Sequence, residues 1–293
     1  EQADVAPGRI LTFVMVLAVL GAALTQCRAV ERLVFHGRTL DPPPHPLFEP
    51  RSPGAEYRMG IGPLDAGTTI VILAVPDRAL GDVAYDLAMT SRAPAGCVAL
   101  HLSGALSTDV LAPLVPAGFA IGSMHPFQTI ADPWSGGDRL IGAAFALAGE
   151  PAAIAAGRRL VSALGGRTFV IPPSLRPLYH AAAVFASNYV VTLAAVATRL
   201  LGQAGVSEDN AAAAVLSLLR STVDNLDHLG FAAALTGPIV CGDVDTVRLH
   251  LGRLSASDRS LYSALGRETL RLARLAGLDP ARAAELESLL SVD

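Results

Sequence analysis

The sequence predicts an α/β protein, with a doubly wound parallel sheet over residues 1–172 followed by an all-helical domain over 173–293. Up to Ile171, short apolar runs of strand character alternate with helical segments at close spacing. From Leu175 onward the strand signal stops and long apolar helical repeats take over. The chain has 293 residues, 52% of them hydrophobic and 16% charged, which is enough to build two buried cores.

In chain order, Ile10–Val16 reads as a buried strand, Gly21–Arg28 as a helix and Glu31–His36 as a second strand. This is the opening of a dinucleotide-binding unit, where a G-x-G-x-x-G turn should join the first strand to the helix. The chain instead has Leu17-Ala18-Val19-Leu20-Gly21, with branched side chains where a pyrophosphate would lie. Phe13–Leu24 is too short to cross a bilayer, which takes about 20 apolar residues. Gln26 is also not the small residue that a lipoprotein cleavage site before Cys27 would need. No leader or membrane anchor is therefore expected.

Asp41–Pro50 holds five prolines and can be neither helix nor central strand; it reads as an ordinary stiff loop, with a lid as the alternative its position allows. Thr68–Val75 is a strand of the kind buried on both faces, and Leu80–Met89 a short helix. Cys97–His101 and Phe119–Met124 are further strands flanking a helix at 107–115. Ala143–Ala148 and Arg167–Ile171 complete the sheet around a helix at 151–164. Helices follow at 175–204, 207–228, 243–254, 258–276 and 280–291, with Ser207 and Ser257 or Asp258 as N-caps. The first of these is apolar nearly all round, so it is expected to be buried, partly against another subunit.

Several functions are excluded at this level. The net charge of −4, without a basic cluster, gives no footprint for nucleic acid. Cys27, Cys97 and Cys241 are too scattered for a disulfide framework or a zinc site and suit a reducing cytoplasm. The chain contains no lysine, which removes Schiff-base chemistry and a Walker-type phosphate lysine. It has neither an H-x-x-x-H metal pattern nor a G-x-S-x-G elbow.

Ligands of open α/β sheets bind beyond the carboxyl ends of the strands. His101-Leu-Ser103-Gly104 follows one such strand and His125-Pro-Phe-Gln128-Thr129 the next, supplying acid, base or hydrogen-bond donors. Each histidine reads equally well as a structural hydrogen-bonder. Tyr179-His180 and Ser187-Asn188 lie on the long apolar helix, where polar groups must find partners in the core or line a cleft. Ala234–Asp243 breaks the helices and presents Thr236, with Asp243 as cap of the following helix.

Together, His101-x-Ser-Gly104, Gly122-Ser-Met-His-Pro-Phe-Gln-Thr129, Tyr179-His-Ala-Ala-Ala-x-x-Ala-Ser-Asn188 and Ala234-Leu-Thr-Gly-Pro-Ile-x-x-Gly-Asp243 resemble a known family in order and spacing. It is the family of Rossmann-like NADP oxidoreductases with a helical C-terminal domain. They are similar to the pyrroline-5-carboxylate reductases and the 6-phosphogluconate dehydrogenase-like superfamily, which has ketopantoate reductase-type members. The resemblance implies a homodimer formed through the helical domain. It also implies an interdomain substrate cleft near His101, Ser103, His125, His180, Asn188 and Thr236, with Gln128 beside them.

Two positions depart from the family pattern. The glycine loop is replaced by Leu17–Gly21, and Cys241 stands where an arginine is usual. Arg38 still matches the position that would hold the 2′-phosphate of NADP. The expectation is therefore a cytoplasmic enzyme that has lost NAD(P) binding. It would perform acid/base chemistry of cyclisation, isomerisation or dehydration type on a small carbonyl or imine molecule. The alternatives are an NADP-dependent reductase with an atypical phosphate loop, in which Arg38 binds the cofactor, and a non-catalytic binding protein.

Overall fold

A computed structural model describes residues 7–49, 55–130 and 136–291, with the backbone alone for 7–16 and 136. By compactness the chain divides into two units, Glu1–Tyr189 and Val190–Asp293. The expected boundary at 172/173 falls just after the last strand.

The first helix, α1, runs Pro7–Gln26. This corrects the expected strand at Ile10–Val16 and the turn at Leu17–Gly21, both of which are helical. Leu17, Ala18, Leu20, Ala22, Ala23 and Leu24 are strong helix formers, and neither glycine nor proline interrupts the run before Gly21. Strand β1 (Leu33–Gly37) therefore has no first strand to pair with. It pairs in parallel with β2 (Ala55–Met59), a strand not read from the sequence, in a two-stranded sheet of its own. The proline-rich segment is packed down. Pro46–Phe48 forms a 3-10 turn, His45 accepts a hydrogen bond from Leu47 N, and Phe48 meets Phe35 and Tyr57 edge-on. These contacts do not suit a lid; Pro50 lies outside the described residues.

The main sheet has the order β3-β4-β5-β6-β7: β3 (Ile70–Leu73), β4 (Val98–His101), β5 (Ala120–Pro126), β6 (Ala144–Gly149) and β7 (Arg167–Val170). All neighbours are parallel except β5 and β6. Helix α2 (Leu80–Thr90) and the 3-10 helix Thr108–Leu114, in place of the expected helix at 107–115, cover one face through Leu80, Leu87, Leu111 and Leu114. On the other face lie α1, α3 (Gly136–Leu140) and α4 (Pro151–Ala163). There Val19, Leu20, Ala23 and Leu24 pack with Leu100, Met124, Phe145, Leu147 and Val161. The result is the three-layer arrangement expected of a doubly wound domain. Gly21 has a packing role. A Cβ there would stand 2.6 Å from Phe35 Cζ, so α1 can approach β1 only with glycine at this position.

The single helix expected over 175–204 is two, α5 (Arg176–Ala186) and α6 (Asn188–Gln203), interrupted at Ser187 with φ −127° and ψ −69°. His180 and Ser187 therefore do not share a continuous helical face. α5 buries only Arg176 and Tyr179, and α6 buries nothing within the chain. This corrects the expectation of a buried helix: Leu193, Val196 and Leu200 are half-buried, while Val190 and Val191 stand exposed. By length and composition alone, Pro173–Gln203 also meets the requirement for a membrane span.

In the second unit α7 (Glu208–Ala234) is interrupted at Gly230, where φ is +74°. Helices α8 (Val244–Arg253), α9 (Ala256–Leu275) and α10 (Pro280–Leu290) share a core of Ile239, Val247, Leu251, Leu270, Leu286 and Leu290. Asp243 caps α8 through Thr246 N at 3.0 Å, as expected. α9 begins two residues earlier than expected, capped by Ser255 instead of Ser257 or Asp258. Asp258 is left to pair with Arg199 of α6.

Candidate functional site

Parallel strands β4 and β5 end side by side, with His101 in register with Ser123 and His125 two residues further on. The sheet thus brings both strand-end histidines to one edge. His101 is wholly buried, and its Nδ1 accepts a hydrogen bond from Ser103 N at 3.1 Å. Ser103 Oγ accepts from Ala105 N (3.2 Å) and Leu106 N (3.0 Å), closing a tight turn after β4. With both lone pairs committed, this hydroxyl has only its proton left to offer.

Helix α5 closes the site. Arg176, Tyr179 and His180 are spaced i, i+3 and i+4 and therefore share one face. Tyr179 Oη and His125 Nδ1 are hydrogen-bonded at 2.6 Å. The His125 and His180 rings meet edge-on, with centroids 6.1 Å apart. Arg176 is wholly buried; it donates to Ser123 Oγ at 2.8 Å and to the Ser103 carbonyl, tying together the ends of β4 and β5. Phe127 and Phe169 pack on the Tyr179 ring and fix it in place.

Gly104 is the pivot of the cluster. A Cβ on this residue would stand 2.7 Å from His180 Nδ1 and 2.8 Å from His125 Nε2, so the two imidazoles converge over a backbone that only glycine leaves open. Among the described residues four buried side-chain nitrogens or oxygens lack a hydrogen-bond partner. Three of them are here: Arg176 Nε, His180 Nδ1 and His101 Nε2, the last with the Ser107 backbone near enough to favour its protonated form. Unsatisfied buried polar atoms concentrated in one place are characteristic of a working site rather than of a structural core.

Electrostatics set the protonation state. Burial pushes His101 down to about 4, helped by the nearby Arg176 charge and opposed by the Ser107 backbone. His125 is likewise pushed down to about 4, first by burial and then by His180 and Arg176. Burial raises the Tyr179 hydroxyl to about 12. At neutral pH His101 and His125 are therefore uncharged imidazoles beside a neutral phenol. Such groups can exchange and relay protons and donate hydrogen bonds to a carbonyl or imine.

Four residues expected in the site, His101, Ser103, His125 and His180, thus belong to one cluster inside the first unit. Gln128 lies past the end of β5; it is exposed, donating to the Arg139 carbonyl and accepting from Thr129 N. Asn188 opens α6 and is exposed, as is Thr236 in the second unit. Arg38 stands exposed just after β1. Arg176 was not read from the sequence as a site residue, and Tyr179 only as a polar group beside His180 that partners the core or lines a cleft. The available signal was an arginine at the head of an apolar helix, three and four residues before Tyr179 and His180. Among the described residues no three His, Cys, Asp or Glu side chains gather into a metal-sized group.

The segment that should hold a dinucleotide pyrophosphate does not suit it. Leu17–Gly21 lies within α1, where backbone amides are engaged by carbonyls four residues back. Ala18, Val19 and Leu20 are at most 2% exposed. No helix N-terminus points outward from this segment.

Comparison with known proteins places the chain. A Rossmann-like domain matches residues 3–126, and a domain of unknown function, DUF2520, matches 143–269. No curated protein matches. Among solved structures, protein TM1727 from Thermotoga maritima is 22% identical, with TM-score 0.68 over 88% of this chain and 96% of that one. A pyrroline-5-carboxylate reductase from Coxiella burnetii is 14% identical, with TM-score 0.57 over 93% of this chain and 95% of that one. The NADP-bound pyrroline carboxylate reductase of Plasmodium falciparum is 11% identical, with TM-score 0.54 over 94% and 96%. The chain thus matches a Rossmann-like domain followed by DUF2520, and it shares its fold with a solved pyrroline-5-carboxylate reductase and with protein TM1727.

Proposed function

We propose that the chain is an enzyme that works on a small carbonyl or imine compound by proton transfer, without a nicotinamide cofactor. The observation that carries this is the convergence of His125 Nε2 and His180 Nδ1 over Gly104, with Tyr179 bonded to the far side of His125. One neutral imidazole removes a proton from the carbon beside the C=O or C=N group. The electron pair moves toward the heteroatom, which accepts a hydrogen bond from the other imidazole. The proton returns at the same or a neighbouring carbon, so no electrons are gained or lost. Positioned acid/base groups of this kind supply on the order of 10²–10⁴-fold in rate. His101 and Ser103 shape the floor of the site. Helical burial of Leu17–Gly21 supports doing without the cofactor.

Deuterium exchange tests this reading. The chain is incubated in D2O with a panel of small 2-oxo acids and cyclic imines, and loss of the α-proton signal is followed by NMR. Exchange above buffer, abolished in His125→Ala and His180→Ala, is the expected result. Exchange that is unchanged in both variants contradicts the assignment.

A second reading, reduction of C=O or C=N with NADP, draws on the neighbours named as reductases and on Arg38 after β1. It requires the pyrophosphate to be held away from α1. We also place the enzyme in the cytoplasm as a homodimer. Cys27, Cys97 and Cys241 are free thiols, and α6 and α7 carry exposed Val191, Leu218, Val223 and Phe231 that a second copy would cover. Arg176, Tyr179 and His180 serve the site from within the apolar stretch 173–203, which argues against its use as a membrane span.

A further inference from the structure

The hydrogen bond between Tyr179 Oη and His125 Nδ1 can run in either direction, and its direction decides which nitrogen of a neutral His125 ring carries the proton. Tyr179 is buried, and among the described residues His125 is its only hydrogen-bond partner. Phe127 and Phe169 pack against the rest of its ring and offer no acceptor. If Nδ1 carried the imidazole proton, it would donate to Oη, and the buried phenol proton would be left without an acceptor. A buried donor whose hydrogen bond goes unmade is costly. If Tyr179 donates, the phenol proton and the Nδ1 lone pair satisfy each other, and the ring proton stands on Nε2. That nitrogen is the one above Gly104. Among the described residues it makes no hydrogen bond, yet it is not one of the four buried unpartnered atoms, so it keeps contact with solvent.

We infer that Tyr179 is a positioning residue: its hydroxyl donates to His125 Nδ1 and holds His125 in the tautomer with the proton on Nε2, which makes His125 the ring that donates to the substrate heteroatom. The roles rest on the proton-transfer reading of the same cluster; the tautomer does not. Removal of the carbon-bound proton then falls to His180. A donor fixed on the open side of the ring needs no reorientation when the electron pair reaches the oxygen or nitrogen. His101 shows the same arrangement, since its Nδ1 accepts from Ser103 N, a group that can only donate. Its ring therefore carries its proton on Nε2 as well.

Nitrogen-15 NMR of the 293-residue chain at pH 7 tests this without any turnover. Correlations between ring nitrogens and carbon-bound ring protons separate protonated from unprotonated nitrogens in each histidine, and His101 supplies the reference pattern. The parent should show His125 with Nε2 protonated and Nδ1 bare. Tyr179→Phe keeps the ring packing and removes only the hydroxyl. In that variant the Nδ1–H tautomer of His125 should become populated, while His101 stays unchanged. A protonated Nδ1 on His125 in the parent overturns the inference, as does a His125 pattern that Tyr179→Phe leaves unaltered. Should Tyr179→Phe fail to fold, the parent spectrum decides alone. Deuterium exchange then checks the roles. His125→Gln keeps an N–H near the place of Nε2 and should retain part of the exchange, whereas His180→Gln should lose it. Equal loss in both, or the reverse order, overturns the assignment of roles. An Nε2–H tautomer of His125 in a chain that catalyses no exchange would instead overturn the proton-transfer reading and leave the tautomer standing.

Discussion

The neutral histidines make the protein sensitive to acid in a calculable way. His101 and His125 titrate near 4 in the folded chain, against an ordinary value of 6.5, because both are buried and lie near other cationic groups. The unfolded chain takes up these protons as the pH falls through 6.5, while the folded chain resists until about pH 4. Their contribution to stability is therefore intact above pH 6.5 and lost between 6.5 and 4. At pH 5 the loss is about 2 kcal/mol for each histidine. The perturbation is His101→Asn and, separately, His125→Asn. An asparagine side chain can accept from Ser103 N, as the His101 Nδ1 does, or pair with Tyr179 Oη in place of His125 Nδ1, but it binds no proton. Urea unfolding followed by circular dichroism at pH 7 and pH 5 is the assay. Each variant should lose about 2 kcal/mol less than the parent between the two pH values, whatever its stability at pH 7. Losses equal to the parent's would refute the account of burial and charge in this cluster.

Gly104→Ala should place a methyl carbon against His125 and His180 and force both rings aside. Deuterium exchange should fall by at least about 10²-fold. A thermal melt should show that the fold survives; exchange at the parent's rate would contradict the convergence of the two imidazoles. Gly21→Ala should destabilise by about 1–2 kcal/mol, because the added carbon meets the buried Phe35 ring and outweighs the gain in helix propensity. Combining it with Phe35→Leu should recover part of that loss, and strictly additive effects would rule out the contact.

Most of the sheet and the flanking helices were legible in the sequence because their signals are local. β3 to β7 are apolar runs bounded by Gly, Pro and Asp, and α8 to α10 show helical periodicity with recognisable caps. Ile10–Val16 was not legible, because a short apolar run fits a strand or a helix equally well. Length and context decide between them, and here α1 continues without a break to Gln26. β2 escaped notice because Ala-Glu-Tyr-Arg-Met carries little strand signal and exists by pairing with β1, a non-local cause. Ser187 broke a helix whose composition predicted continuity. In the site, His101 and His125 were readable from their place at strand ends. Arg176 and the pairing of Tyr179 with His125 were not, because their partners Ser123, Ser103 and His125 lie more than 50 residues away in sequence. Gly21 lies inside α1 against Phe35, so it serves helix–strand packing there and not a phosphate turn.

Titration of NADPH and NADH into the 293-residue chain tests whether the proposed proton transfer dispenses with a nicotinamide cofactor. Calorimetry and nicotinamide fluorescence are read together. The account predicts no micromolar binding of either cofactor, since Leu17–Gly21 is buried within α1. Micromolar binding of NADPH, weakened in Arg38→Ala, would contradict it and establish the reductase reading in its place.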